Sequence, residues 1–267
     1  MKRKKIGIIG AGLVGTALTK QLIHAGHDVQ VANSRGPSTL QSFEKETGAK
    51  AVDLGGVVSD VDILILAVPL KNIPGLRPSL NNLPQNVVVL DVCNYYPWRD
   101  GQISEINEGM AESVWVSHQL TRPVIKAFNN IIASNIVDNS KPKDTQDRVA
   151  LPVSGDDPSA KNTIIKLVEE VGFTAYDAGS LADSWRQQPG EPVYCTNPTL
   201  KELPSLLARA NRKTAAGNRS KIKIILAKIP QDFSGQYLTS VSRLFIGLDI
   251  FKLKSWTALI RLGWAML

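Results

Sequence analysis

One stretch limits what this chain can fold into more than any other. An apolar run at residues 5–9 opens straight into Gly10-Ala11-Gly12-Leu13-Val14-Gly15, and a helical pattern follows at residues 13–25. Glycine at the first, third and sixth positions of a strand-to-helix turn has a specific use. Gly10 permits the tight turn, Gly12 lets the backbone approach a pyrophosphate, and Gly15 lets helix and strand pack closely. The phosphates then face free N–H groups and the positive end of the helix dipole. Gly10, Ala11, Gly12, Leu13, Val14 and Gly15 are therefore the expected diphosphate cradle. Short β-branched runs alternate with helical patterns to about residue 180, as in a mostly parallel sheet with helices on its faces. The expected fold is α/β, a Rossmann-type doubly wound sheet with a C-terminal helical extension.

Strands are expected at residues 5–9, 28–33, 50–52, 62–68, 86–92, 123–128, 148–153 and 173–177. The runs DILILAV and NVVVLDV are nearly all apolar, as central strands buried on both faces should be. Pro37 suits a first helical turn, and Gly26 and Gly172 suit helix ends. Asp156 or Asp157 is the expected cap of a helix at 157–171. After Asp177 the texture changes. Residues 179–198, rich in Pro, Gly, Gln and Trp, read as a long ordered loop or a linker. The tail from Leu200 reads as three or four helices. Pro230 and Ser255 mark breaks, and Ser255 is the expected cap of a last helix at 256–267. The expected domains are residues 1–180 for the nucleotide and 181–267 for a loop plus a basic helical region.

The end of the second strand decides between the two nicotinamide coenzymes. A carboxylate there bonds the ribose 2′-hydroxyl of NAD. Here the sequence reads Asn33-Ser34-Arg35, with no acid to repel a 2′-phosphate. Ser34 offers a hydroxyl and Arg35 charge-assisted bonds, so NADP(H) is the expected cofactor. Asn33 is placed to serve the ribose or the adenine edge. Ala67, Val68 and Pro69 end the fourth strand, where an open α/β sheet presents its crevice, and are expected beside the nicotinamide ribose.

The net charge of +7 is unevenly placed. Residues 201–267 hold 12 Lys and Arg against 3 acids, and the first 200 residues are slightly acidic. The tail carries no named nucleic-acid motif, so no nucleic-acid partner is expected. No window is long and apolar enough to span a bilayer. The basic start runs into a glycine-broken strand, which differs from a signal-peptide core. Two cysteines in a chain with a sizeable core read as free thiols, and the expected location is cytoplasmic.

Several stretches together resemble the NADPH-dependent coenzyme F420 (deazaflavin) oxidoreductase family: IGIIGAGLVG at 6–15, NSRGPSTL at 33–40, residues 67–70, DVCNYY at 91–96, KAFNN at 126–130 and GDDPSAK at 155–161. Membrane ferric reductases share that nucleotide domain. The resemblance implies hydride transfer between NADP(H) and a flavin, deazaflavin (coenzyme F420) or other small acceptor. It implies that Ser34 and Arg35 contact the 2′-phosphate and that Asn94 and the turn at 126–129 line the cleft. Asn94 and Asn129 are therefore candidate substrate contacts. The segment from Gly179 onward departs from the short C-terminal region of the archaeal enzymes, which helps form their acceptor site.

Other residues leave alternatives open. Trp185 and Arg186 could stack on a planar acceptor or bind its phosphate, or Trp185 could plug the core. No Ser–His or His–Asp arrangement stands out, which suits hydride transfer governed by positioning. His24 and His27 lack further ligands and read as structural, so no metal is expected. Lys126 could stabilise a developing anion, but reads first as an exposed strand-edge lysine. Trp256, Leu259, Ile260, Trp264 and Leu267 are expected to pack in the core or against a second copy of the chain, a homodimer. An acidic membrane surface is the other reading for the tail. Two further functions fit the N-terminal half: a β-hydroxyacid or imine-type reductase, and a non-catalytic NADPH-binding sensor or scaffold.

Overall fold

The computed structural model describes residues 2–229 and 233–266, with side chains of the last helix described to Trp264. Six parallel strands form one sheet: β1 (Lys5–Ile9), β2 (Asp28–Ala32), β3 (Lys50–Ala51), β4 (Ile63–Leu66), β5 (Val88–Asp91) and β6 (Ile125–Lys126). Their order is β3-β2-β1-β4-β5-β6. The chain thus reverses direction across the sheet between β1 and β4. The crevice at that reversal, outside the carboxyl ends of the strands, is where such sheets take ligands. A second parallel pair, β7 (Ala150–Val153) and β8 (Thr174–Asp177), is a separate small sheet. It joins β6 by an antiparallel bridge between Lys126 and Ser154.

The core follows from the apolar runs. Residues 63–66 of β4 are all fully buried, with Ile63 and Ile65 in one cluster and Leu64 and Leu66 in another on the opposite face. Side chains alternate across a strand, so an unbroken apolar run fills both faces. The helix Leu13–His24 packs on the first face with Leu18 and Leu22. The helix Glu112–Leu120 brings Trp115 and Val116 to the second. Asp157 caps the helix Pro158–Glu170, its carboxylate accepting from the Ala160 N–H at 2.7 Å. His27 is structural in a concrete way: it is buried, accepts the Lys4 N–H, and lies 3.2 Å from the Glu170 carboxylate.

Residues 179–198 form an ordered, packed loop, so the linker alternative is set aside. Ser180 and Asp183 make a reciprocal cap for the short helix Leu181–Gln187. Leu181, Val193 and Thr196 are buried, and the Ala150 N–H donates to the Pro198 carbonyl at 2.7 Å. The tail then runs through four helices, Leu203–Ala208, Arg212–Lys228, Gly235–Phe245 and Leu253–Met266.

One expectation for the tail is corrected. Ser255 is inside the last helix rather than its cap, buried with its hydroxyl on the Asp249 carboxylate. Of the tail's apolar side chains, Val241, Ala258 and Leu262 are buried and Leu259 packs against them, while Trp256, Ile260 and Trp264 are exposed. The break at Pro230 and the packing of Leu267 lie outside the described residues.

Candidate active site

The glycine turn has the shape its sequence demands. Gly10 has φ +118°, and a Cβ there would meet the Ala67 carbonyl at 2.2 Å. A Cβ on Gly15 would meet the Gly10 carbonyl at 1.9 Å, so only glycine allows helix and turn to close up. Gly12 differs, because no protein atom lies within 4 Å of the position its Cβ would take. The space beside it is open. The helix Leu13–His24 begins there with no side-chain cap and no acid in its first turn. Its leading N–H groups have no partner within the helix, the arrangement that lets a helix start take an anion. Leu13 is exposed at the rim, while Ala11 and Val14 pack partly on the core.

At the end of β2, Asn33 shapes the loop. Its amide oxygen accepts the Arg35 N–H at 3.0 Å, and its amide nitrogen donates to the Thr39 hydroxyl at 2.9 Å. That local turn leaves Ser34 and Arg35 exposed on the same side as the glycine turn's strand ends. Among the described residues the Arg35 guanidinium has no acidic partner. Ala67 continues β4, its N–H donating to the Ile9 carbonyl at 2.9 Å, and Val68 and Pro69 stay half-buried beside it.

Under the next two strand ends is a buried ionic centre that the sequence reading missed. The Asp91 carboxylate accepts the Cys93 N–H at 2.8 Å, the Ser113 hydroxyl at 2.7 Å and the Lys126 ammonium at 3.1 Å. Lys126 also donates to the Cys93 carbonyl. The expectation of an exposed lysine is overturned. Its backbone is paired with Asp91 on one side and with Ser154 on the other, so β6 is no edge and the side chain has no route to water.

The structure brings Asn94 and Asn129 together and adds Gln187. The Asn94 amide donates to the Asn129 carbonyl at 2.8 Å. The Asn129 amide donates to the Asn94 side-chain oxygen at 3.1 Å and to the Gln187 carbonyl at 2.8 Å. Gln187 returns a bond to the Asn129 side-chain oxygen at 3.0 Å. Asn129 is buried with both amide hydrogens used, so it locks the ends of β5 and β6 to the loop. Asn94 is half-buried and keeps one amide hydrogen free.

Trp185 is outside the core clusters. It is half-buried, with the guanidinium of Arg186 5.0 Å from its ring centre and that of Arg212 4.5 Å away. Arg186 is paired with Asp183 in its own turn. Glu112, fully buried, accepts the Tyr95 N–H at 3.0 Å and has Arg219 at 3.7 Å. Burial pushes its carboxyl up to about 7, while Lys126, the Tyr95 N–H and Arg219 hold it down. Nothing local in the sequence flags Glu112 or Arg219, because they meet across more than a hundred residues. Burial raises the Cys195 thiol to about 12 and the Cys93 thiol as well, so neither supplies a thiolate near neutrality. Both cysteines are free. Among the described residues no group of three or more His, Cys, Asp or Glu could hold a metal ion.

A glycine turn at the reversal of a β3-β2-β1-β4-β5-β6 sheet defines a dinucleotide-binding domain of the NAD(P)-dependent oxidoreductase type. Residues 5–95 match the family described as NADP oxidoreductase, coenzyme F420-dependent. The hypothetical protein SMa0349 from Sinorhizobium meliloti is 30% identical, with TM-score 0.64, over 74% of this chain and 95% of that one. A protein assigned as an F420-dependent NADP reductase from Arthrobacter sp. fb24 has the same fold, with TM-score 0.58 at 21% identity over 68% of this chain and 87% of the other. The metalloreductase STEAP3 of Rattus norvegicus is 28% identical over 204 residues, 76% of this chain and 39% of its own length. The chain spans between 39% and 55% of the length of the curated relatives it matches. Residues 5–95 therefore form a domain of the coenzyme F420-dependent NADP oxidoreductase type, and the fold around it is that of NADP-dependent oxidoreductases. No helix among the described residues is long and apolar enough to cross a membrane.

Proposed function

We propose that the protein transfers a hydride between NADP(H) and a small planar acceptor of the flavin or deazaflavin class. The observation that carries this reading is the pairing of an open Gly12 position with an unpartnered Arg35 at the neighbouring strand end. The diphosphate sits on residues 10–15 and the 2′-phosphate on Ser34 and Arg35. The nicotinamide end lies along Ala67, Val68 and Pro69. Asn94 offers its free amide hydrogen to the acceptor, and Asn129 holds Asn94 in place. Trp185 presents a ring face already flanked by two cations, and Arg186 holds that turn in shape through Asp183. Residues 1–180 act as the nucleotide domain, and residues 181–267 complete the acceptor side. When bound, the nicotinamide supplies the redox chemistry. The chain's residues fix the two rings and keep water away.

The protein works in the cytoplasm as a homodimer, with the exposed Trp256, Ile260 and Trp264 covered by a second copy. Sedimentation equilibrium tests the dimer; a monomer at micromolar concentration contradicts it. Calorimetry and NADPH oxidation with FMN, coenzyme F420 and menadione test the activity. The expected result is NADP(H) binding about tenfold or more tighter than NAD(H), with turnover on at least one acceptor. Tight binding without turnover on any acceptor would favour a sensor. No heat with either coenzyme would end the reading altogether.

A further inference from the structure

The helix Arg212–Lys228 is unusual: seventeen residues long, with none of them buried. Its C-terminal half leans on a small apolar cluster through Ile225, and its N-terminal half is held by polar and ring contacts. Three inward contacts reach the cleft walls. Arg212 donates to the Gly109 carbonyl and stacks on Trp185. The Asn218 amide donates to the Gly190 carbonyl at 3.1 Å. Arg219 lies 3.7 Å from the Glu112 carboxylate and 4.9 Å from the centre of the Tyr95 ring. Backbones touch as well: Gly190 has φ +96°, and a Cβ there would meet the Ala215 carbonyl at 2.3 Å.

We propose that this helix is a strap across the acceptor end of the cleft and that Arg219 is its positioning residue, fixing the Tyr95–Tyr96 wall through Glu112. Calling that wall the acceptor side rests on the proposed function. Arg219 balances a carboxylate that has no access to water, and that carboxylate holds the Tyr95 N–H. Remove the guanidinium and the share of Glu112 still ionised at neutral pH loses one of its two counter-charges, so the wall loosens. Lys126 from β6, Asp91 from β5, and Tyr95 and Tyr96 from the following loop are the other groups that act on Glu112. Lys126 bears on Glu112 more strongly than Arg219 does, but it is shared with Asp91 and the Cys93 carbonyl, whereas among the described residues Glu112 is the only acid that Arg219 faces.

Amide exchange on the full chain, read by mass spectrometry without ligand, tests this. Arg219→Gln should raise exchange at residues 94–98 about tenfold at pH 7.5 and much less at pH 5.5, where Glu112 takes a proton. Arg219→Lys should be intermediate. The double variant Glu112→Gln/Arg219→Gln should return exchange to within about twofold of the parent, because a neutral amide needs no counter-charge. It also covers the case in which Arg219→Gln alone folds poorly. With FMN as the acceptor probe, Arg219→Gln should raise KM about fivefold while leaving kcat and the NADPH Kd within about twofold. Parent-like exchange in Arg219→Gln at pH 7.5, or a double variant no slower than the single one, overturns the strap. Loss of NADPH binding by the parent itself overturns the oxidoreductase reading instead, since the exchange measurement needs no ligand.

Discussion

The Lys126 ammonium lies 3.1 Å from the Asp91 carboxylate, and neither side chain reaches solvent. The pair stands where β5 and β6 end, directly beneath Asn94 and Asn129, and two more donors fill the carboxylate. Breaking a buried pair by removing one partner leaves an uncompensated charge. Lys126→Ala should therefore lower the unfolding free energy by about 3–5 kcal/mol. Urea denaturation at pH 7 measures it. A loss below about 1 kcal/mol would mean that the pair is as dispensable as a surface contact.

Gly12 and Gly15 separate folding from binding. Gly15→Ala puts a Cβ against the Gly10 carbonyl and should lower the melting temperature markedly. Gly12→Ala meets no protein atom within 4 Å, so it should fold normally. Its methyl group nevertheless fills the place proposed for the diphosphate, and NADPH affinity should fall about tenfold or more. Thermal melts and calorimetry on the two variants decide it. Normal NADPH affinity in Gly12→Ala would move the cofactor elsewhere.

Asn33 offers a change of coenzyme. Asn33→Asp keeps an oxygen for the Arg35 N–H but places a negative charge beside Ser34 and Arg35. NADP(H) affinity should drop about tenfold while NAD(H) affinity holds or improves, because a carboxylate repels the 2′-phosphate and bonds the 2′-hydroxyl. Titration of each coenzyme by fluorescence checks this. Equal losses for both would show that Asn33 only shapes the loop.

Glu112 predicts a pH dependence of stability. Its carboxyl is raised to about 7 in the folded protein from an ordinary 4.5, chiefly by burial. Between those values the folded state binds more protons than the unfolded state. Stability therefore falls as pH rises from about 4.5 to 7, by roughly 3 kcal/mol from this group. Glu112→Gln removes that fall, so its advantage over the parent should grow between pH 5 and pH 7.5. Denaturation curves at both values test it, and a constant difference between the two proteins would refute it.

How far the sequence reaches is clear from particular residues. The alternation of apolar strands and helical patterns was enough to foresee a Rossmann-type sheet, because burial on both faces leaves an unmistakable run such as residues 62–68. The glycine turn was legible for the same reason: Gly10 and Gly15 answer to backbone geometry within a few residues. Asn94 and Asn129 were reached through resemblance alone, and their mutual bonds were not visible. Lys126 was misread because two residues of strand do not reveal a partner on each side. Ser255 was misread because its hydroxyl serves Asp249 rather than the backbone of its own helix.

By itself, then, the chain's order of residues determined the strands, the glycine turn after β1, and the absence of an acid at the end of β2. These depend on local conformation and on side-chain period, which operate within a dozen residues. Only the tertiary structure decided that Lys126 is sealed against Asp91, that Gln187 joins the two asparagines, and that a basic helix carries Arg219 to Glu112 and Arg212 to Trp185. Such meetings depend on the crossing of distant segments. The cost of desolvating a charge, which makes them matter, is fixed only once the surrounding chain has closed over it.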